Sequence, residues 1–235
     1  MSILTLKKGF FVMRKETRIR TAAAVLLLAA FGLWTLLTVT VDVRPIGPEG
    51  SSVGLAGLNG FFHRAVGVHM GLYVLTDWLG LVPVGICFCF ALLGLWQWIT
   101  RRRIRRVDRD ILVLGGFYTV VFGAYLLFEE LALNFRPVLI NGFLEASYPS
   151  STTLLVLCVV PTAITCLKSR IKRPWLRRTV SLGLGAFAVF MTLGRFISGV
   201  HWFGDIVGGI LLSAGLVTAC RAVLFPAFCK TDRTY

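Results

Sequence analysis

Six apolar stretches alternate with short polar segments along the 235-residue chain. About 20 apolar residues cross the hydrocarbon core of a bilayer as a helix, and an open strand would leave its backbone groups unpaired in lipid. The pattern therefore predicts an all-α integral membrane bundle of six helices. We place them at residues 21–41, 80–99, 111–133, 151–167, 178–196 and 204–226.

The segment 42–79 is less uniformly apolar than the six stretches. It opens with a Gly/Pro/Ser-rich run and continues as an apolar run interrupted by His63, Arg64, His69 and Asp77. A run of this kind is typical of helices that lie at the membrane surface. We expect one or two additional helices here, at the outer interface of the bundle.

Lysine and arginine residues divide the connecting segments between two sides. Four segments hold 21 of the 25 basic residues: the N-terminus, the stretches around 101–109 and 168–178, and the C-terminal end from Arg221. Cytoplasmic segments of membrane proteins are rich in such residues, and six spans put all four on one side. The sequence thus predicts a multi-pass cell-membrane protein, with a cytoplasmic N-terminus (1–20), one six-span domain (21–226) and a cytoplasmic tail (227–235).

Composition agrees with a membrane protein and argues against other classes. Only 15% of residues are charged and the mean hydropathy is +0.78, whereas a soluble domain carries about 25% charged residues. The net charge of +14 comes from clusters between apolar runs, so it builds no basic face for nucleic acid. The six cysteines lack metal-ligand spacing and fit buried positions, and we expect no metal or cofactor.

The stretch GRFISGVHWFGD, residues 194–205, places charged residues between the last two apolar runs. Charges at such a place carry a cost that function usually explains. His201 and Asp205 are four residues apart at the start of the last predicted helix and would share a face. A carboxylate that fixes one ring nitrogen leaves the other free as a nucleophile or base. Arg195 would reach the same pocket and hold a phosphate.

Two further outer features would favour an anion. Arg136, followed by a proline, could supply a second clamp from the segment 134–150. SYPSST (147–152) opens the fourth helix with the hydroxyls of Ser150, Ser151 and Thr152 and with free backbone N–H groups. The competing interpretation is that His201 and Asp205 only cap the last helix and that Arg195 is an interfacial anchor.

These residues resemble a known family. Arg195, five residues, His201, three residues and Asp205 resemble the third signature of the phosphatidic acid phosphatase type 2 (PAP2) and vanadium haloperoxidase superfamily. YPSST at 148–152 resembles its second signature, Pro-Ser-Gly-His, and NFRP at 134–137 the end of its first. The order, the spacing and the six spans match over roughly residues 20–225.

The resemblance implies a metal-free phosphohydrolase of membrane lipids with an extracytoplasmic site. His201 would take the phosphoryl group and Asp205 would orient it. Arg136 and Arg195 would bind the phosphoryl oxygens, and Ser150 with its neighbours would complete the cradle. The expected partners are the bilayer and lipids with phosphate headgroups.

Three positions depart from the family pattern. Glu129 stands where the first signature has lysine, Thr152 where the second has the histidine that protonates the leaving group, and Gly194 where the third has serine. A threonine hydroxyl is no acid near neutral pH, and losing a general acid costs about 10²–10⁴-fold in rate. His63, His69 or a protonated Glu129 are the candidate substitutes.

Three functions remain open on the sequence alone. The first is hydrolysis or transfer of a lipid phosphate or diphosphate through a phosphohistidine. The second is a degenerate relative that binds a phosphate headgroup, or partners another membrane protein, without turnover. The third is a structural or transport protein, against which the lack of internal repeats argues.

Overall fold

The computed structural model describes the backbone of residues 3–231 and the side chains of residues 15–223. The expected tail at 227–235 lies outside the described side chains, as do Lys7, Lys8 and Arg14 of the N-terminus. Within the described part the α-helices are α1 (Ile3–Thr40), α2 (Ala56–Val66), α3 (Met70–Leu79), α4 (Leu81–Arg101), α5 (Arg109–Leu131), α6 (Ser151–Arg170), α7 (Pro174–Ile197) and α8 (Phe203–Thr231). Short 3₁₀ turns lie at Pro48–Gly50 and Ile104–Arg106.

Six segments of the described chain are long and apolar enough to cross a membrane. The expectation of an all-α, six-span membrane bundle is confirmed, and the chain is a multi-pass membrane protein. The spans are Lys15–Thr40, Met70–Arg101, Arg109–Leu131, Ser151–Arg170, Pro174–Ile197 and Phe203–Val223.

Helices α6 and α8 form the centre of the bundle. Half of the most apolar window of each is buried, against 11–22% in the other four spans. Helix α1 lies along α8, and α6 packs against both α7 and α8. Small residues allow such close approach in membranes: a Cβ at Gly215 of α8 would lie 2.7 Å from Cδ2 of Leu28 on α1.

At the end of the bundle that carries the basic loops, ion pairs and a side-chain hydrogen bond join three helices. Arg170 at the end of α6 pairs with Asp110 on α5 and lies 3.5 Å from Asp108. Gln97 of α4 donates to Asp108 at 2.8 Å. These contacts hold α4, α5 and α6 together where the α4–α5 connection leaves the bundle.

The segment 42–79 differs from the expectation in its extent. Helix α2 is a separate surface helix, but α3 continues through Gly80, whose backbone is helical (φ −59°, ψ −19°), into α4. The second span therefore begins at Met70 rather than at residue 80. Its polar residue Asp77 is accommodated because it pairs with Arg195 of α7.

Candidate functional site

The end of the bundle opposite the basic loops brings together α3, the segment 134–150 and the loop before α8. The segment 134–150 is a hairpin. Its turn residues Asn141 and Gly142 both have positive φ (51° and 83°), the combination that a tight Asn-Gly hairpin turn requires. Ile140 and Phe143 exchange backbone hydrogen bonds, and the N–H of Arg136 donates to the carbonyl of Glu145 at 3.0 Å. The N–H of Ser147 donates to the carbonyl of Asn134 at 2.8 Å, so Arg136 and Ser147 sit on one braced element.

The loop before α8 is held by contacts with the α2–α3 connection and with the hairpin. Gly199 has φ +67°, and a Cβ there would collide with the carbonyl of Gly67 in the α2–α3 connection. The N–H of His69 donates to the carbonyl of Ser198 at 2.9 Å. The indole N–H of Trp202 donates to the carbonyl of Phe135 in the hairpin at 2.7 Å. His201 therefore lies in the loop just before α8, whereas we expected it at the start of the last helix.

His201 and Asp205 are close, but a serine hydroxyl stands between them. Nδ1 of His201 lies 3.9 Å from Oδ2 of Asp205, too far for a direct hydrogen bond. Oγ of Ser147 lies 3.0 Å from Nδ1 of His201 and donates to Oδ2 of Asp205. The same Oδ2 accepts the backbone N–H of Trp202 at 2.9 Å. The three hydrogen-bonded side chains, Asp205, Ser147 and His201, are all buried.

Arg195 lies at the other ring nitrogen of His201. It is only 1% exposed, and its Nη2 lies 3.3 Å from Nε2 of His201. Its Nη1 lies 3.5 Å from the carboxylate of Asp77 on α3. The ring of Tyr73, one turn earlier on α3, lies 4.9 Å from the guanidinium of Arg195 and 5.7 Å from that of Arg136. Tyr73 thus contacts both arginines through cation–π geometry.

Several guanidinium nitrogens in this pocket lack an acceptor. Arg136 pairs through Nη2 with the half-exposed carboxylate of Glu145 at 3.2 Å. Its Nε and Nη1, together with Nε of Arg195, are buried and have no hydrogen-bond partner among the described residues. Buried donors are almost always satisfied, so these three nitrogens call for an anionic oxygen. The oxygens of an anion such as phosphate would satisfy these nitrogens.

The electrostatic surroundings keep His201 neutral. Burial, and then the charges of Arg136 and Arg195, hold the pKa of His201 well below its ordinary value of 6.5. A neutral imidazole retains the lone pair that a nucleophile or base requires.

The SYPSST residues are near the pocket but differ in their environment. Ser150 precedes α6 and is fully buried, and its N–H donates to the backbone carbonyl of Asp205 at 3.0 Å. Its hydroxyl accepts from Thr153 at 3.0 Å. Ser151 and Thr152 are half-buried in the first turn of α6, and both line an apolar cavity of about 490 Å³ together with Val84, Tyr118 and Phe122.

The candidate substitutes for the missing acid lie in three different places. Glu129, near the end of α5, lines a small pocket together with Ser147 and Ser151. The ring of His63 on α2 lies 5.3 Å from that of Trp202, its Nδ1 has no partner among the described residues, and burial lowers its pKa. His69 is exposed and bonds through Nε2 to the carbonyl of Val66 at 3.0 Å. None of the recorded hydrogen bonds within residues 15–223 joins these three to His201.

Three residues of the pocket were not among our sequence candidates: Tyr73, Asp77 and Glu145. Ser147 was included only as the first residue of SYPSST, without a role of its own. The Asn141–Gly142 pair was a signal for the hairpin, but its ideal register would pair residue 136 with 147, whereas the structure bonds Arg136 to Glu145. The i, i+4 spacing of Tyr73 and Asp77 was visible too, but nothing in the sequence told which face of α3 meets α7. The close packing of α3 on α7 also explains the glycine at position 194, because a Cβ there would lie 2.8 Å from Cγ2 of Thr76 on α3.

Comparison with known proteins supports the fold. No family model matches the chain, and no curated protein sequence matches it. A solved structure does match: the crystal structure of the first transmembrane PAP2 type phosphatidylglycerolphosphate phosphatase from Bacillus subtilis. The TM-score is 0.51 at 18% sequence identity, and the match covers 90% of this chain and 97% of that chain. The resemblance read from the signatures is thereby confirmed at the level of architecture, and the chain has the all-α, six-span fold of a transmembrane PAP2-type phosphatase.

Proposed function

We propose that this protein hydrolyses or transfers the phosphate of a membrane lipid phosphate or diphosphate through a phosphohistidine at His201. The observation that carries the proposal is the convergence of a buried, neutral imidazole with three unsatisfied guanidinium nitrogens of Arg136 and Arg195. The similar solved structure is that of a phosphatidylglycerolphosphate phosphatase, which supports a lipid phosphate as the class of substrate. The apolar cavity beside Ser151 and Thr152 offers room for hydrocarbon next to the pocket.

In this proposal Arg136 and Arg195 bind the phosphoryl oxygens while Asp205 keeps the imidazole oriented. The lone pair of His201 Nε2 forms a bond to phosphorus, and the bond from phosphorus to the leaving oxygen breaks with its electron pair. Water or an acceptor hydroxyl then attacks phosphorus, and the P–N bond breaks with its electron pair returning to Nε2, which restores neutral His201. The proton lost by the attacking oxygen passes through solvent to the oxygen that left in the first step. The basic end of the bundle faces the cytoplasm, so the site opens on the extracytoplasmic side.

A single assay tests the proposal. Purified full-length protein in lipid nanodiscs is incubated with lipid mono- and diphosphates, and released inorganic phosphate is measured. We expect release from at least one lipid, and its loss to background in the His201→Ala variant. Turnover that survives this substitution would show that His201 is not the nucleophile.

Binding without turnover is the second candidate, and the pairing of both arginines with carboxylates favours it. Asp77 lies against Arg195 and Glu145 against Arg136, so a phosphate must compete for both. Thr152, where the family has its leaving-group histidine, lines an apolar cavity. This candidate predicts saturable binding of a lipid phosphate that needs Arg136 and Arg195, and no release of phosphate. It also predicts that turnover appears in the Thr152→His variant.

A further inference from the structure

The pocket contains a hydroxyl that links the imidazole of His201 to its carboxylate. An aspartate that orients a histidine usually contacts the ring nitrogen itself. Here the direct separation is 3.9 Å, whereas Ser147 Oγ bonds to both groups. Ser147 is 3% exposed, His201 3% and Asp205 0%, so bulk water has no access to the gap that the hydroxyl fills.

The donor and acceptor roles in this chain follow from counting hydrogens. A serine hydroxyl has one hydrogen, and with Asp205 as a carboxylate Ser147 gives it to Oδ2, which also accepts the backbone N–H of Trp202. Oγ of Ser147 is then left as an acceptor, so Nδ1 of His201 must carry a hydrogen and donate it. In a neutral ring Nε2 is therefore unprotonated, and it accepts from Nη2 of Arg195 at 3.3 Å. The hydrogen bonds at the two ring nitrogens of His201 therefore require the same tautomer, with the hydrogen on Nδ1.

We propose that Ser147 is a positioning residue: its hydroxyl relays the orienting effect of Asp205 to His201 and selects the tautomer whose Nε2 lone pair faces the phosphate pocket. No proton has to move for this to operate. When Nε2 bonds to phosphorus the ring becomes cationic, and the charge is stabilised through Nδ1–H, the hydroxyl and the Asp205 carboxylate. The expected effect of Ser147 on kcat rests on the proposed function, whereas the expected tautomer of His201 does not.

The fold holds Ser147 firmly enough for this role. Its N–H is bonded across the hairpin to Asn134, and the neighbouring Tyr148 is 1% exposed with its hydroxyl 2.7 Å from Oγ1 of Thr35 on α1. On the other side, Asp205 is held by the N–H of Trp202. The hydroxyl thus has one well-defined place between two anchored groups.

The direct test reads the tautomer of His201 in the absence of any substrate. Full-length protein with ¹⁵N-labelled histidine, in nanodiscs, gives Nδ1 and Nε2 shifts for its three histidines, and His201→Ala assigns the relevant pair. We expect wild type to be protonated at Nδ1, and Ser147→Ala to lose that uniform state. Ser213→Ala on α8 is the matched control. Ser213 is buried like Ser147, and among the described residues its hydroxyl bonds to the backbone carbonyls of Gly209 and Ile210.

Kinetics add a second readout. On a substrate that the wild type turns over, Ser147→Ala should lower kcat by about 10–100-fold with little change in KM, since the phosphate contacts of the arginines remain. Ser147→Thr, which keeps a hydroxyl, should recover part of the loss. A Ser147→Ala protein with the wild-type tautomer would overturn the inference. Absence of turnover in the wild type would instead count against the proposed function, while the tautomer measurement would still decide the role of Ser147.

Discussion

Nη2 of Arg195 lies 3.3 Å from Nε2 of His201. The cation that would hold the phosphate therefore bonds to the nitrogen that would attack it, and a phosphoryl group entering the pocket meets both at once. In this position the fixed fork of a guanidinium matters as well as its charge. We expect Arg195→Lys to lower kcat/KM by about 10–100-fold, the scale of one or two hydrogen bonds to a charged group.

The control for Arg195→Lys is Arg44→Lys, which changes an exposed arginine of the same side that pairs with Asp42. It should leave kcat/KM unchanged. Equal activity of Arg195→Lys and wild type would show that the fork is not used.

Asp77 is the natural competitor of a phosphate for Arg195, since its half-exposed carboxylate lies 3.5 Å from Nη1. Neutralising it in Asp77→Asn should strengthen inhibition by vanadate or inorganic phosphate about 2–5-fold, the range expected for one exposed pair. The gain should shrink at high salt, because screening weakens exposed pairs. Asp42→Asn, on the same side but paired with Arg44, should change nothing; weaker inhibition in Asp77→Asn would contradict a competing role.

The lack of a histidine at position 152 should appear as dependence on the leaving group. Without a general acid, an alkoxide leaves slowly while a phosphate leaves readily. We expect kcat/KM for an alkyl diphosphate to exceed that for the monophosphate of the same chain by about 100-fold or more. Thr152→His should narrow this ratio, whereas Thr119→His, on the exposed surface of α5, should not. Equal rates on both substrates would mean that another group protonates the leaving oxygen.

The lowered pKa of His201 predicts a pH effect with a definite sign. Unfolded chains bind a proton at this ring near pH 6.5, and the native protein does so only well below that value. The unfolded state therefore binds more protons as the pH falls below 6.5, and stability decreases through that interval. NMR of labelled histidine should find His201 neutral at pH 6, and His201→Gln should reduce the loss of Tm between pH 7.5 and 5.5. A ring that titrates at pH 6.5 would contradict the described surroundings.

Close packing of α3 on α7 can be tested at Gly194, where the related family has serine. A Cβ there would lie 2.8 Å from Cγ2 of Thr76, so Gly194→Ala should lower Tm. Removing that methyl in Thr76→Ala should relieve the double variant, giving a coupling of about 0.5–3 kcal/mol in a double-mutant cycle. Additive effects of the two changes would show that α3 does not press on α7.

The sequence predicted the bundle well because lipid imposes a simple rule on it. Apolar runs long enough to cross, such as the one ending at Thr40, can be counted directly. We predicted the second span too short because Asp77 interrupts its apolar run. The fold shows that Arg195 pairs with this charge, so the helix continues through it.

The pocket was less accessible to sequence reasoning. Arg195, His201 and Asp205 stand in one short stretch, so their spacing could be read. Ser147 is 54 residues from His201 and comes to it only through the hairpin and the packing of α6 against α8. Contacts between residues so far apart in the sequence leave no local periodicity from which they could be predicted.

The hairpin 134–150 carries Arg136 on one arm and Ser147 on the other, and it lies outside all six spans. Insertion into the bilayer depends on the apolar helices, whereas the position of these two side chains depends on the hairpin and its contacts with the loop before α8. The two requirements are therefore separable in evolution and in engineering. If the pocket binds a lipid headgroup as proposed, exchanging this hairpin would alter the headgroup selectivity while the membrane-spanning helices stay the same.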